Sequence, residues 1–310
     1  MRVLVTGANG FVGTALTTRL IGEGRYAVVG TVRKASAKLP ASVMRVEVGP
    51  LGPETDWQSA IRQVDTVVHV AARVHMMSDT ISNPLAEYRR VNVAGTATLA
   101  RQAASAGVKR FVFLSSVKVN GESGCYTEAD TPAPEDAYGI SKHEAEMALR
   151  EIAKDTGMEV VIIRPPLVYG PGVRANFLAL MRAVSRGIPL PLGAVDNRRS
   201  FVALSNLVDF IVTCIEHPAV ANETLLLSDG EDLSTTDLIR RLARAMGRPA
   251  RLLAVPPSVL IAGAALLGQR DIAQRLLGTL QVDISKARQL AQWEPPTTVD
   301  EGLRLTVAAL

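Results

Sequence analysis

The sequence predicts an α/β protein: a doubly wound parallel sheet with a smaller C-terminal α/β lobe. Three observations predict it. Short β-rich runs alternate with helical segments from the first residues onward. The runs are almost wholly apolar, as strands covered on both faces must be. A glycine-rich turn also joins the first run directly to the first helix.

Residues 3–5 read as the first strand, 11–22 as a helix and 27–32 as the second strand. Further strands are predicted at 43–48, 66–70, 111–114 and 160–163, with helices at 57–62, 84–106 and 139–156. Past Arg164 the alternation breaks at Pro165, Pro166, Gly170, Pro171 and Gly172. Helices at 177–185, 205–214 and 235–246 follow, joined by irregular stretches. The expected division is 1–165 and 166–310, with segments around 200–228 returning to the first part.

The chain has 310 residues, 47% of them hydrophobic and 21% charged, enough to bury a sizeable core. Its net charge is +4 and no basic run occurs, which argues against a nucleic-acid partner. Two cysteines, Cys125 and Cys214, make no disulfide framework, and the four histidines hold no metal-ligand spacing. Met1 leads straight into an apolar strand, so no signal peptide is expected and the cytoplasm is the expected compartment. The greasy stretch 252–268 is interrupted by Pro256 and Pro257 and falls short of the roughly 20 residues of a membrane span. It reads as a buried helix in preference to a membrane-surface contact, so no membrane partner is expected.

Gly7-Ala-Asn9-Gly10-Phe11-Val12-Gly13 lies between the first strand and the first helix. Glycines there let the backbone turn tightly and approach a pyrophosphate, which the helix N-terminus then attracts. Val29-Gly-Thr-Val-Arg33-Lys34 ends the second strand without an acid for a ribose 2′-hydroxyl. Arg33 and Lys34 suit a 2′-phosphate instead, so NADP(H) is expected over NAD(H).

The strand Phe111-Val-Phe-Leu ends in Ser115-Ser116, and Tyr138-Gly-Ile-Ser-Lys142 opens a helix. Residues four apart share a helix face, so Tyr138 and Lys142 project together. A free phenol with a pKa near 10 is a poor base at neutral pH, and a neighbouring ammonium is expected to lower that value. Lys142 also suits a nicotinamide ribose. Ser116 would orient the substrate oxygen while Tyr138 moves its proton.

These motifs, with Val68-His-Val-Ala71-Ala72, Val91-Asn92-Val-Ala-Gly-Thr and Arg164-Pro165-Pro-Leu-Val-Tyr-Gly, resemble the extended short-chain dehydrogenase/reductases along essentially the whole chain. The resemblance implies a Rossmann lobe for the dinucleotide and a C-terminal lobe for a nucleotide-sugar, UDP-linked by family habit. It implies Ser116, Tyr138 and Lys142 as the catalytic triad, Ala71, Ala72 and Pro165 along the dinucleotide, and Asn92 as support. It implies a homodimer through the helices at 84–106 and 139–156. Arg199 matches the position that grips the diphosphate, and Arg275 is a second candidate. Asn176 opens a helix and either helps hold the diphosphate or caps that helix. Lys118 either touches the sugar or faces water. His75, past the Ala71 strand end, reads as structural or exposed before functional.

Val117-Lys118 stands where the family's 4,6-dehydratases carry an Asp-Glu pair, so dehydration is not expected. The missing acid after the second strand, with Arg33 in place, tips the expectation toward NADPH-dependent reduction of a ketosugar; the stretch 115–122 and the tail from Arg275 to Trp293 resemble bacterial reductases of UDP-4-keto-6-deoxy-N-acetylhexosamines, which implies that substrate. The alternative is a UDP-hexose 4-epimerase with tightly bound NAD. A non-catalytic dinucleotide sensor is the third reading, opposed by the complete triad.

Overall fold

The computed structural model describes residues 1–34, 36–74 and 83–310. Its strands are β1 (Arg2–Thr6), β2 (Ala27–Val32), β3 (Met44–Glu47), β4 (Thr66–His69), β5 (Arg110–Leu114), β6 (Gly124–Tyr126), β7 (Glu159–Arg164), β8 (Leu167–Tyr169), β9 (Phe201–Ala203), β10 (Thr224–Leu226) and β11 (Leu280–Val282). The first helices are α1 (Phe11–Gly22), α2 (Gln58–Ile61), α3 (Pro84–Tyr88), α4 (Gly95–Ser105) and α5 (Ala137–Thr156). After them come α6 (Ala175–Ser185), α7 (Leu204–Glu216), α8 (Thr235–Ala245), α9 (Pro257–Leu266), α10 (Arg270–Leu277), α11 (Ser285–Ala291) and α12 (Val299–Ala308).

Seven strands form one parallel sheet in the order β10-β7-β5-β4-β1-β2-β3. The order reverses between β1 and β4, so the carboxyl ends of these strands open the crevice where such sheets bind ligands. The central strands carry Val3, Leu4, Val5, Val67, Val68, Phe111 and Val112, all buried. One face packs on α1 and α7, the other on α4 and α5. Strand β10 lies at the sheet edge beside β7, far along the chain from its partner. Two small sheets, β8-β9 and β11-β6, lie outside it.

The helix expected at 84–106 is one run with a wider turn inside it. Arg89–Ala94 forms a π-helical segment between α3 and α4. Such bulges are frequent at functional sites, and this one carries Asn92.

The stretch 252–268 corrects an expectation. Helix α9 begins at Pro257, where proline is tolerated, but none of its residues is buried. Leu252 and Leu260 pack against a core cluster, while Leu266 and Leu267 are 89% and 78% exposed. Local apolarity alone did not secure burial, because the small lobe has no further layer on that side.

His69 ends the central strand β4, fully enclosed. Its Nδ1 pairs with Thr6 Oγ1 at 2.7 Å and its Nε2 with Thr96 Oγ1 at 3.0 Å. Burial, assisted by the Lys142 charge, pushes its pKa down to about 3. The folded value lies below the unfolded one near 6.5, so protonation opposes folding. This contribution to stability is therefore lost as pH falls from about 6.5 toward 3. The melting temperature is expected to drop more steeply between pH 6.5 and 4 for the native chain than for His69→Gln, followed by circular dichroism. Equal slopes would refute this role.

Candidate active site

The glycine loop leaves β1 and opens α1 as the sequence predicts. Gly7 has φ +62°, a left-handed conformation that favours glycine. A Cβ there would press on Ala71, 3.1 Å away, and a Cβ at Gly13 would run into the Gly7 carbonyl. Helix α1 has Gly10 at its N-cap and no capping side chain. The first-turn amides thus have no side-chain partner and are open to an anion. Phe11 and Val12 form that turn, and Asn9 is exposed on the loop. Ala72 follows Ala71 beyond β4. These residues fit a dinucleotide pyrophosphate.

Arg33 and Lys34 lie just past β2, both exposed. The loop meets β2 where the Ala8 amide donates to the Thr31 carbonyl. Among the described residues neither side chain forms a hydrogen bond or ion pair with the other predicted site residues.

Strand β5 delivers two hydroxyls to opposite sides, since successive side chains of an extended chain alternate. Ser115 turns inward and donates to Glu146 at 2.5 Å. Ser116 lies close enough to the Tyr138 hydroxyl to influence its ionisation, and its own hydroxyl accepts from the Lys118 amide. Helix α5 starts at Ala137, with Asp136 as its N-cap accepting from Gly139 N at 2.7 Å. Tyr138 and Lys142 occupy one face. The Lys142 ammonium donates to the Leu114 carbonyl at 2.7 Å, 6.0 Å from the Tyr138 ring centre and 4.4 Å from that of Phe113. Tyr88 meets Tyr138 edge-on with centroids 6.2 Å apart. Asn92 donates to Ser141 Oγ at 3.0 Å and to the Arg73 carbonyl, and accepts from Arg73 N. It thereby braces the turn of α5 that carries Lys142. The Pro165 carbonyl accepts from Val117 N at 3.0 Å, holding the segment after β5.

The electrostatics correct the expected direction for the phenol. Burial raises the Tyr138 pKa, and the Asp136 charge raises it further; the Ser116 hydroxyl opposes them. Lys142 is itself pushed down to about 7 by burial, against the pull of Glu146. In the protein alone, desolvation outweighs the neighbouring cation. A bound nicotinamide in its oxidised, cationic form would favour the phenolate.

Lys118 is partly exposed but is not free to reach a sugar. Its ammonium pairs with Glu122 and, at 2.6 Å, with Asp136. The charge of Glu122 in turn acts on Arg199. Arg199 is half-buried, donates to the Gly278 carbonyl at 2.9 Å and feels the like charge of Arg275 from α10. Structure thus brings Arg199 and Arg275 together. Asn176 is exposed in the first turn of α6. It is not the cap, a position held by Arg174. His75 lies outside the described residues.

Sequence reasoning missed Glu146, Arg164 and Asn120. Arg164 forms a forked pair with Glu146 at 2.9 and 2.6 Å and donates to Asn120 at 3.0 Å, all of it buried. A glutamate four residues after Lys142 and an arginine closing an apolar strand were the available signals. Among the described residues no His/Cys/Asp/Glu group could hold a metal, and no helix is long and apolar enough to cross a membrane.

A glycine cradle at a sheet switch point together with Ser116, Tyr138 and Lys142 is the arrangement of a short-chain dehydrogenase/reductase-type enzyme. Residues 3–227 match the NAD dependent epimerase/dehydratase family, and the chain belongs to it. It is 50% identical to a UDP-glucose 4-epimerase of Vibrio cholerae, over 99% of this chain and 94% of that protein. It is 28% identical to an N-acetyl-alpha-D-glucosaminyl-diphospho-ditrans,octacis-undecaprenol 4-epimerase of Escherichia coli O157:H7, over 98% and 94%. Among solved structures it resembles MoeE5 in complex with UDP-glucose and NAD, with TM-score 0.80, 27% identity and 100% and 98% coverage. It also resembles the UDP-glucose 4-epimerase of Thermotoga maritima with UDP-glucose, with TM-score 0.79, 25% identity and the same coverage. The chain is an enzyme of the nucleotide-sugar epimerase/dehydratase kind.

Tyr138→Phe is expected to lower turnover by about 10² to 10⁴-fold, the usual worth of a positioned proton carrier, with dinucleotide affinity unchanged by titration. Unaltered turnover would remove Tyr138 from the chemistry. Lys118→Met bares the Asp136 carboxylate beside the phenol, so the rise of activity with pH is expected to move to higher pH. A shift to lower pH, or none, would refute that coupling.

Proposed function

We propose that the protein is a UDP-hexose 4-epimerase that keeps its own NAD. The observation that carries this reading is the Ser116–Tyr138–Lys142 geometry at the mouth of the glycine cradle, in a chain half identical to a UDP-glucose 4-epimerase. NAD, when bound, supplies reversible hydride acceptance beside the sugar. Tyr138 takes the proton of the sugar hydroxyl during oxidation and returns a proton to the keto oxygen during reduction. Ser116 holds that oxygen in both directions. Lys142, anchored on the Leu114 carbonyl, provides the positive charge that steadies the phenolate. Arg199 and Arg275 present adjacent cations suited to a diphosphate.

NAD replaces the NADP(H) expected from the end of β2. The family is NAD dependent, and the related MoeE5 structure contains NAD. Arg33 and Lys34 still favour a second reading, an NADPH-dependent reductase of a UDP-4-ketohexosamine, because no acid there can receive a 2′-hydroxyl. A homodimer through α4 and α5, where Met147 is exposed, belongs to the same proposal.

The two readings separate in one assay. Purified protein given UDP-glucose or UDP-N-acetylglucosamine, without added cofactor, is expected to yield the 4-epimer, and denaturation is expected to release NAD. Consumption of added NADPH with a UDP-4-ketosugar, and no epimer from either UDP-sugar, would overturn the epimerase reading in favour of the reductase.

A further inference from the structure

We propose that helix α9 and its arginine rim form a docking face for an anionic membrane surface. A helix apolar all round normally lies inside a protein. Helix α9, Pro-Ser-Val-Leu-Ile-Ala-Gly-Ala-Ala-Leu, has no buried residue. Leu260 touches the cluster formed by Val184, Ile239 and Ala243, and that contact fixes its inner side. Val259, Ile261, Leu266, Leu267 and the preceding Leu253 are each more than half exposed. An apolar cleft of about 430 Å³ between α9 and α10 extends this face. Contiguous exposed apolar surface of this kind marks an interaction site.

The surrounding charge selects the occupant. From Leu238 to Gln269 the sequence holds five arginines and no Asp or Glu. Arg240 and Arg241 are engaged with carboxylates. Arg244, Arg248 and Arg251 are exposed and paired with no carboxylate among the described residues, as are Arg182 and Arg186 at the end of α6. The Arg251 guanidinium donates to the Gly187 carbonyl, which draws the α6 arginines and Arg251 to one edge. The cluster under Leu260 joins α6, α8 and α9, so this edge borders the apolar face. An apolar helix beside unpaired cations matches a bilayer of anionic lipids: side chains enter the headgroup boundary and arginines meet phosphates. At ten residues the helix lies on such a surface and cannot span it. A second copy of this chain fits less well, since the same arginines would face each other.

Flotation of the full chain with vesicles tests this. Vesicles of phosphatidylcholine with phosphatidylglycerol are expected to carry at least about fivefold more protein than phosphatidylcholine alone, with release at high salt. Leu266→Asp with Leu267→Asp, and separately Arg248→Glu with Arg251→Glu, should each abolish that gain while activity on a soluble UDP-sugar and the melting temperature stay unchanged. Hydrogen exchange of the native chain should show residues 257–267 protected on anionic vesicles, which keeps the test decisive should a variant misfold. No preference for anionic vesicles, undiminished binding by both variants, or protection only through self-association in light scattering would overturn the proposal.

Discussion

The buried pair of Glu146 and Arg164 is the constraint on which the site depends. Arg164 ends β7, Glu146 sits one turn beyond Lys142 on α5, and both are almost fully enclosed. Glu146 also receives the Ser115 hydroxyl from the end of β5, and Arg164 reaches Asn120 in the loop beyond Ser116. One ion pair thereby ties together the strand that delivers Ser116, the helix that delivers Tyr138 and Lys142, and the strand that leads into the second lobe. Removing one partner from such a pair costs about 3–5 kcal/mol, because the remaining charge is stranded. Its hydrogen bonds with Ser115 and Asn120 make the arrangement specific in direction as well as in energy.

A second, wetter chain of charges runs along the mouth of the crevice. Asp136 caps α5, Lys118 joins Asp136 to Glu122, and the charge of Glu122 acts on Arg199. The buried pair positions the reacting groups. The outer chain sets the field they feel, because Asp136 opposes ionisation of Tyr138 and Lys118 offsets Asp136. The protein thus keeps its phenol protonated when empty. An oxidised nicotinamide, when bound, would supply positive charge that favours the Tyr138 phenolate.

Much of this was readable from residue order. The parallel sheet, the glycine cradle and the Tyr-Lys face follow from periodicity and spacing within short segments. Asn92 was marked by a motif, and the π-bulge that lets it reach Ser141 and the Arg73 backbone was not. Residues 252–268 looked like core by composition, and the structure leaves them on the surface. Arg33 and Lys34 suggested one dinucleotide, whereas the family and the NAD-containing relative point to the other.

By itself the sequence determined which groups could act together, since residues four apart on a helix, or at the end of an apolar strand, have their directions set by backbone geometry. Only the tertiary structure decided their state. Whether Tyr138 is a base, whether Lys118 is free, and whether α9 is covered depend on desolvation and on charges from segments distant in the chain. Those quantities are properties of assembled surroundings, and no local pattern encodes them.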